Sequence, residues 1–204
     1  MFAHIHEALA QVRRLQDLVL EKRMFRGYSG KARITSGLLV LLNAAALSHP
    51  AVPRTAHVHL AGWAVTVALG VLVNYAALGW WFLFAPEVKR NPRMLRPAVD
   101  AVPALAVGAV LTVALVIAEQ YDLLFGAWLS VYGLAQTAYR QSLPPGMYRT
   151  GLLYVLAGAV FLLGPAPTFL HPWPMAWVFF AGELVSGAIL LSQGRVPQEP
   201  AHDN

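Results

Sequence analysis

Residues 60–97, LAGWAVTVALGVLVNYAALGWWFLFAPEVKRNPRMLRP, combine a long apolar segment with a basic, proline-rich one. Its first 26 residues, 60–85, carry no charged side chain, and about 20 apolar residues in an α-helix cross the ~30 Å hydrocarbon core of a bilayer. The last twelve residues hold four positive charges and three prolines, and proline inside a helix removes a hydrogen bond and clashes with the preceding turn. The stretch therefore predicts a transmembrane helix that ends in a basic loop.

Five further apolar stretches flank this one, so the whole chain is predicted to be a polytopic membrane protein. The six predicted spans are residues 34–48, 60–85, 99–118, 123–139, 151–170 and 174–191. The composition agrees, because 57% of the 204 residues are hydrophobic and 12% are charged, against about 25% charged in soluble domains. We expect an all-α bundle of six transmembrane helices over residues 31–193.

The basic residues predict the orientation of the bundle. With alternating spans, fourteen of the fifteen Lys and Arg residues fall on one side, and Arg54 alone falls on the other. Short cytoplasmic loops accumulate Lys and Arg, so both termini are predicted to be cytoplasmic and the membrane to be the inner, or plasma, membrane. The net charge of +5 then lies beside lipid headgroups, which makes the bilayer the expected partner and argues against nucleic acid.

The N-terminal segment, residues 1–30, has the pattern of an amphipathic helix followed by a glycine hinge. Its apolar side chains recur every three or four residues, at Phe2, Ile5, Leu9, Val12, Leu15 and Val19, and such a helix can lie in the membrane interface. Residues 1–26 therefore predict an interfacial anchor or, alternatively, a docking surface for a membrane or cytoplasmic protein. The polar tail, residues 194–204, is expected to be a disordered cytoplasmic end.

Sequence similarities between spans suggest three helical hairpins, with an internal repeat as an open hypothesis. The segments 36–45 and 150–159 align without a gap, and each even-numbered span begins with a small residue followed by Trp. Parallel repeats of this kind occur in transporters, although Leu, Gly, Ala and interfacial Trp are common in any membrane span. Small residues four apart in several spans predict close helix packing.

Glu183 is the one acidic residue deep inside a predicted span, near the middle of span six, whereas Asp100 lies at the very start of span three. An ionised carboxylate at the bilayer centre costs about 2.5 kcal/mol or more, so this side chain is expected to face the bundle interior or to be neutral. Asn43 and Asn74 lie at similar predicted depths, with Gln136 as a weaker neighbour. These four form a candidate site for an ion or a small solute; the alternative is a single hydrogen bond to another helix.

Four histidines collect on the predicted outer side: His49, His57, His59 and His171. Neutral imidazole is the commonest protein metal ligand, so they are a candidate zinc or copper site or a sensor of external pH. No cofactor is predicted otherwise. The absence of cysteine excludes disulfides, iron–sulfur clusters and c-type haem.

No catalytic motif is present in the sequence, which lacks the G-x-S-x-G, H-E-x-x-H, P-loop and Rossmann patterns. The sequence therefore gives no support for an enzymatic function. The expected function is that of a membrane accessory or assembly subunit, or a sensor that reports through residues 1–26. The alternatives are a small-solute or ion-coupled transporter that uses Glu183, and a metal-binding membrane protein that uses the outer histidines.

Overall fold

The computed structural model of the chain describes residues 11–12, 27–85, 102–138, 143–165 and 167–193, and between residues 27 and 193 these form an all-helical bundle. Its six α-helices are α1 (Gly30–Leu47), α2 (Ala56–Phe84), α3 (Val102–Ile117), α4 (Leu124–Ala138), α5 (Pro145–Leu163) and α6 (Trp173–Gln193). A 3₁₀ turn, Tyr121–Leu123, leads into α4. The all-α class is confirmed, and each predicted span corresponds to one helix.

The bounds of α5 differ most from the predicted span at residues 151–170. The helix begins six residues earlier because Pro145 occupies its first turn, where a missing N–H costs nothing and the fixed φ angle suits a helix. It ends at Leu163 because Gly164 and Pro165 follow. Residues 167–172 form a non-helical connection into α6, so the apolar pattern alone placed this span too late.

Three helices, α2, α5 and α6, are long and apolar enough to cross a membrane, by length and composition. Much of the apolar surface is exposed: Leu72 on α2 is 63% exposed and Val110 on α3 is 68% exposed. Apolar surface of this extent marks contact with lipid or with another protein rather than with water. The structure thus supports a membrane-associated helical bundle.

Most helices that follow one another in the chain lie side by side, and the last helix packs on the first. The hairpin partners α1 and α2, α3 and α4, and α5 and α6 lie side by side, while α4 packs on α5 and α6 returns to α1. Within the described chain, α2 and α3 share at most marginal contact. The three predicted hairpins are therefore present, but the most extensive interfaces join different hairpins. The internal repeat stays a prediction.

Glycines bring the two largest interfaces together. A Cβ atom on Gly158 of α5 would lie 2.7 Å from the Ser130 backbone nitrogen and 2.8 Å from the Gly126 carbonyl oxygen of α4. A Cβ atom on Gly30 of α1 would lie 2.5 Å from the carbonyl oxygen of Gly187 on α6. These backbones approach so closely that no side chain fits between them, which is how small residues pack membrane helices.

Aromatic rings fill the bundle at the end where α1 finishes and α4 begins. Trp63 of α2 packs edge-on against Phe125 of α4, with ring centroids 5.4 Å apart, and Phe125 contacts Phe169 at 5.2 Å. The Phe169 backbone nitrogen donates a 2.6 Å hydrogen bond to the Asp122 carboxylate. This bond holds residues 167–172, the connection before α6, over the aromatic rings. The connection covers that end of the bundle.

Three predicted features lie outside the described residues. They are the amphipathic pattern of the N-terminal segment, apart from the exposed pair Gln11 and Val12, the basic loop at residues 86–97, and the polar tail at residues 194–204. They stay predictions.

Candidate functional site

Glu183 lies at the middle of α6 and is the centre of a buried polar cluster. Its side chain is 1% exposed, so the expectation that it faces the bundle interior agrees with its position. Its Cβ atom faces Gly37 of α1, where an added Cβ would come within 3.1 Å. The absence of a side chain at Gly37 therefore lets the carboxylate lie against α1.

Arg33 is the charge partner of Glu183. The Arg33 guanidinium donates to both carboxylate oxygens, at 3.1 Å to Oε1 and 3.4 Å to Oε2. Its side chain is 9% exposed although it belongs to the first turn of α1. A charged pair this deeply buried is stable only when its remaining hydrogen-bonding positions are also satisfied.

Two tyrosines complete the arrangement, which we name the Glu183 cluster: Arg33, Tyr132, Tyr154 and Glu183. The Tyr132 hydroxyl donates to Glu183 Oε1 at 2.7 Å and accepts from Arg33 at 2.8 Å. The Tyr154 hydroxyl lies 3.2 Å from Oε1 and 3.0 Å from the Phe179 carbonyl oxygen, so its one proton is shared between two acceptors. The cluster joins α1, α4, α5 and α6.

The local packing explains why these side chains meet. Tyr154 lies against Gly182, one residue before Glu183, where any Cβ atom would overlap the phenol ring. Its ring packs edge-on against Tyr132 with centroids 5.1 Å apart. The Arg33 guanidinium lies 5.8 Å from the Tyr28 ring and 5.9 Å from the Tyr132 ring, distances at which cation–π attraction operates.

Asn74 forms hydrogen bonds elsewhere. Its side-chain nitrogen donates to Ser36 Oγ of α1 at 2.8 Å and to the Gly70 carbonyl oxygen at 2.9 Å. It thus ties α2 to α1, one turn beyond Arg33 on α1. No hydrogen bond of the described residues joins it to Glu183, so the predicted shared site is not formed through Asn74.

Asn43 lies farther along α1. It is ten residues beyond Arg33, about 15 Å at 1.5 Å per residue, and its oxygen packs at the position of Gly62 on α2. Its side-chain nitrogen is buried and has no hydrogen-bond partner among the described residues. Asn43 therefore belongs to the interface of α1 and α2 and not to the Glu183 cluster.

Gln136 is adjacent to the Glu183 cluster. It lies one helical turn after Tyr132 on α4, is 2% exposed, and packs where Gly151 of α5 has no side chain. Its amide oxygen and nitrogen have no partner within the described chain. A buried amide without a partner is costly, so Gln136, like the Asn43 nitrogen, has hydrogen-bonding capacity that the described residues leave unused.

The four histidines occupy different environments. His59 is fully buried and its Nδ1 lies 3.2 Å from the Thr55 carbonyl oxygen, while the His49 Nδ1 accepts from the Ala51 backbone nitrogen at 3.2 Å. His57 and His171 are exposed. Across the described ranges, no three His, Asp or Glu side chains are grouped to hold a metal ion. The metal hypothesis gains no support from these positions.

Sequence reasoning missed Arg33, which it assigned to the cytoplasmic positive charges. The available signal was its position directly before span one, four residues before Gly37 and on the same helix face. It also missed Tyr132 and Tyr154, because a tyrosine in a membrane span is ordinary unless a buried acid is known to lie beside it.

The structure shows a surface groove of about 570 Å³ away from the Glu183 cluster. It lies between residues 27–29 and the last two turns of α2, and its walls include Trp80, Trp81 and Phe84. No member of the cluster lines it. We call it the Trp80 groove.

No known protein family, no curated protein and no solved structure matches this chain.

Proposed function

We propose that the chain is a multi-pass protein of the inner membrane with six spanning helices and cytoplasmic termini. The support is the agreement between six helices and six apolar stretches, together with the one-sided distribution of Lys and Arg. α3 and α4 each have an end that coincides with a limit of the described residues. Their described lengths of 16 and 15 residues are therefore minimum lengths.

We infer that this protein acts as a non-catalytic accessory or assembly subunit. The observation that carries the inference is the closure of the Glu183 cluster. Glu183 is 1% exposed and accepts hydrogen bonds from side chains of three other helices. An acid that binds a transported solute or ion must reach a cavity or pathway, whereas this carboxylate is occupied by its own chain.

A buried polar cluster that joins four helices has a clear physical role in a membrane. Apolar faces do not drive membrane helices together, because lipid tails are as apolar as the helices. Interhelical hydrogen bonds and close packing must therefore hold the bundle, and an unpaired charge would be strongly unfavourable. The Glu183 cluster fixes four helices in one arrangement, and a rigid bundle of this type presents a constant surface to a partner subunit.

Flux measurements test the inference against transport. Purified protein is reconstituted into liposomes that contain a pH-sensitive dye, and proton or cation gradients are imposed. We expect the same flux as in protein-free liposomes. A flux that Glu183→Gln abolishes and that Glu119→Gln preserves would overturn the accessory role, because Glu119 is an exposed carboxylate outside the cluster.

The size of the native assembly gives a second, independent test. The full chain is extracted from its own membrane with a mild detergent and its mass is measured by native electrophoresis and light scattering. The accessory role predicts a complex larger than the 22.2 kDa chain that contains a second membrane protein in fixed ratio. A monodisperse preparation of this chain alone would contradict it.

An ion-coupled carrier is the second candidate, and Gln136 is the observation in its favour. The unpartnered Gln136 amide lies one turn from Tyr132. A carrier would use it to receive a solute released or bound by the Glu183 cluster. In that case Gln136→Leu would remove uptake while leaving the bundle folded, whereas the accessory role predicts no change in any flux.

A further inference from the structure

A second set of buried polar side chains lies one helical turn from the Glu183 cluster, toward the end of the bundle where α1 begins. It consists of Gln136 on α4, Thr150 on α5 and Ser186 on α6, and we name it the Gln136 layer. Each member lies three or four residues from the cluster residue of its own helix, a spacing that places both on the same helix face. The layer is therefore a candidate extension of the cluster.

The close packing of α4 on α5 puts Gln136 and Thr150 at one level. A Cβ atom on Gly151, the neighbour of Thr150, would lie 3.0 Å from the Cβ atom of Gln136. Gln136 is 2% exposed and Thr150 is 3% exposed. Both side chains therefore belong to the interior of the bundle.

The packing of α5 on α6 puts Ser186 at the same level. Tyr154 of α5 contacts the position of Gly182 on α6, and a Cβ atom on Gly146 of α5 would lie 2.9 Å from Ile189 of α6. The midpoint of these two contacts is residue 150 on α5 and falls at Ser186 on α6. Because Ser186 is 0% exposed, its side chain also points into the bundle.

The Gln136 layer has hydrogen-bonding groups that its own helices do not use. The Gln136 amide oxygen, the Gln136 amide nitrogen and Ser186 Oγ are buried and have no partner among the described residues. The Thr150 hydroxyl donates to the Gly146 carbonyl oxygen at 3.2 Å, so the Thr150 oxygen can still accept a hydrogen bond. Because an unpaired polar group in a protein interior is costly, these atoms indicate a small polar ligand between the three helices.

The neighbouring charges favour a neutral ligand. A cation in the layer would lie close to the Arg33 guanidinium, and an anion would lie close to the Glu183 carboxylate, although these two groups already neutralise each other at 3.1 Å. The ligand must also accept hydrogen bonds as well as donate them, since the layer contains both donors and acceptors. Water meets both requirements, and a buried water molecule typically makes about three hydrogen bonds to groups of this kind.

We propose that the Gln136 layer binds a buried water molecule that joins α4, α5 and α6. The water bridges the Gln136 amide and the Ser186 hydroxyl, accepting from one and donating to the other, and it donates its remaining proton to the Thr150 oxygen. The bridge adds a second connection between helices that the Glu183 cluster already joins. It depends on the packing of the described helices and requires neither the accessory role nor the carrier role.

The direction of a stability change tests the site. Gln136→Met keeps the length of the side chain and removes its amide. If water bridges Gln136 to Ser186, the equilibrium constant for unfolding of the full chain in mixed detergent micelles should rise about fivefold, as expected for one lost hydrogen bond. If the amide is buried without a partner, methionine removes a desolvation cost and the same constant should fall.

A double-mutant cycle tests whether the two residues share one ligand. Gln136→Met, Ser186→Ala and the double variant are compared with the unaltered protein. Either single change breaks the bridge, so the unfolding constant of the double variant should rise by less than the product of the two single rises. The matched controls are Gln120→Met and Ser192→Ala, two exposed side chains outside the layer, and each should change the constant by about twofold or less.

A high-resolution crystal structure of the unaltered full chain in a lipidic phase observes the site without any variant. We expect a density peak within about 3.2 Å of both the Gln136 amide and Ser186 Oγ. A lower or unchanged unfolding constant for Gln136→Met would overturn the proposal, and so would single effects that simply multiply in the double variant. A direct hydrogen bond between Gln136 and Ser186 with no density peak between them would also overturn it.

Discussion

Arg33 and Glu183 are 150 residues apart in the chain and form a buried ion pair with a closest distance of 3.1 Å. The pair joins α1, the first helix of the described bundle, to α6, the last. Both charges were visible in the sequence, but only the packing of Gly37 against Glu183 and of Gly30 against Gly187 brings them together.

Removing the acid should destabilise the protein. Glu183→Gln leaves the Arg33 guanidinium buried without an opposite charge, and breaking a buried pair in this way costs about 3–5 kcal/mol. Equilibrium unfolding in mixed detergent micelles measures the change in the free energy of unfolding. Glu119→Gln is the control, because that carboxylate is exposed and its loss should change stability by less than about 0.5 kcal/mol.

Close packing between α4 and α5 should be sensitive to a single methyl group. Gly158→Ala places a Cβ atom within 3 Å of two backbone atoms of α4, and overpacking of this kind costs about 1–3 kcal/mol. The matched control is Gly79→Ala on α2, where nothing lies within 4 Å of the new Cβ. Alanine there should be neutral or stabilising by up to ~1 kcal/mol. Equal unfolding midpoints for the two variants would argue against this interface.

The Tyr154 hydroxyl should contribute measurable stability. Tyr154→Phe retains the ring against Gly182 but removes the bonds to Glu183 and to the Phe179 carbonyl oxygen, which should cost about 1 kcal/mol. Tyr121→Phe is a suitable control, because that ring stacks on Phe169 and keeps the stack without its hydroxyl. The free energies of unfolding of the two variants should differ. An unchanged free energy of unfolding for Tyr154→Phe would show that this hydroxyl does not stabilise the Glu183 cluster.

Asp122 should stabilise the connection before α6 and not the bundle as a whole. Asp122→Ala removes the 2.6 Å acceptor of the Phe169 backbone nitrogen, so we expect faster amide hydrogen exchange in residues 168–171. Exchange in the glycine-packed part of α5 should not change, because that interface does not involve the loop. Unaltered exchange at Phe169 would show that the aromatic packing alone holds this connection.

Hydropathy was sufficient to predict six helices, although it placed α5 too late, and to predict the interior position of Glu183, since both follow from excluding charge and open backbone from lipid. Hydropathy did not predict which residues contact Glu183. Depths were counted from the ends of the apolar stretches, which placed Asn43 level with Glu183. In the structure Gly30 packs beside Leu191, so Glu183 lies opposite Gly37, about one and a half turns before Asn43.

The burial of Arg33 was missed for a related reason. An arginine near the end of a span usually extends toward the headgroups. The one-sided distribution of Lys and Arg looked like a sufficient reason for an arginine at position 33. The burial of a side chain depends on how far a neighbouring helix extends past that residue. Arg33 is covered because α6 continues beyond the start of α1. That overlap follows from the glycine contacts of two distant segments, which no local pattern in either one reveals.

The coupling between Arg33 and Glu183 tests the structural role of the cluster most directly. The free energies of unfolding of Arg33→Met, Glu183→Gln and the double variant are compared with that of the unaltered protein. If the pair is a structural clamp, each single variant loses about 3–5 kcal/mol and the double variant recovers most of the loss, because no unpaired charge stays buried. Losses that simply add in the double variant would contradict the buried ion pair and the clamp with it.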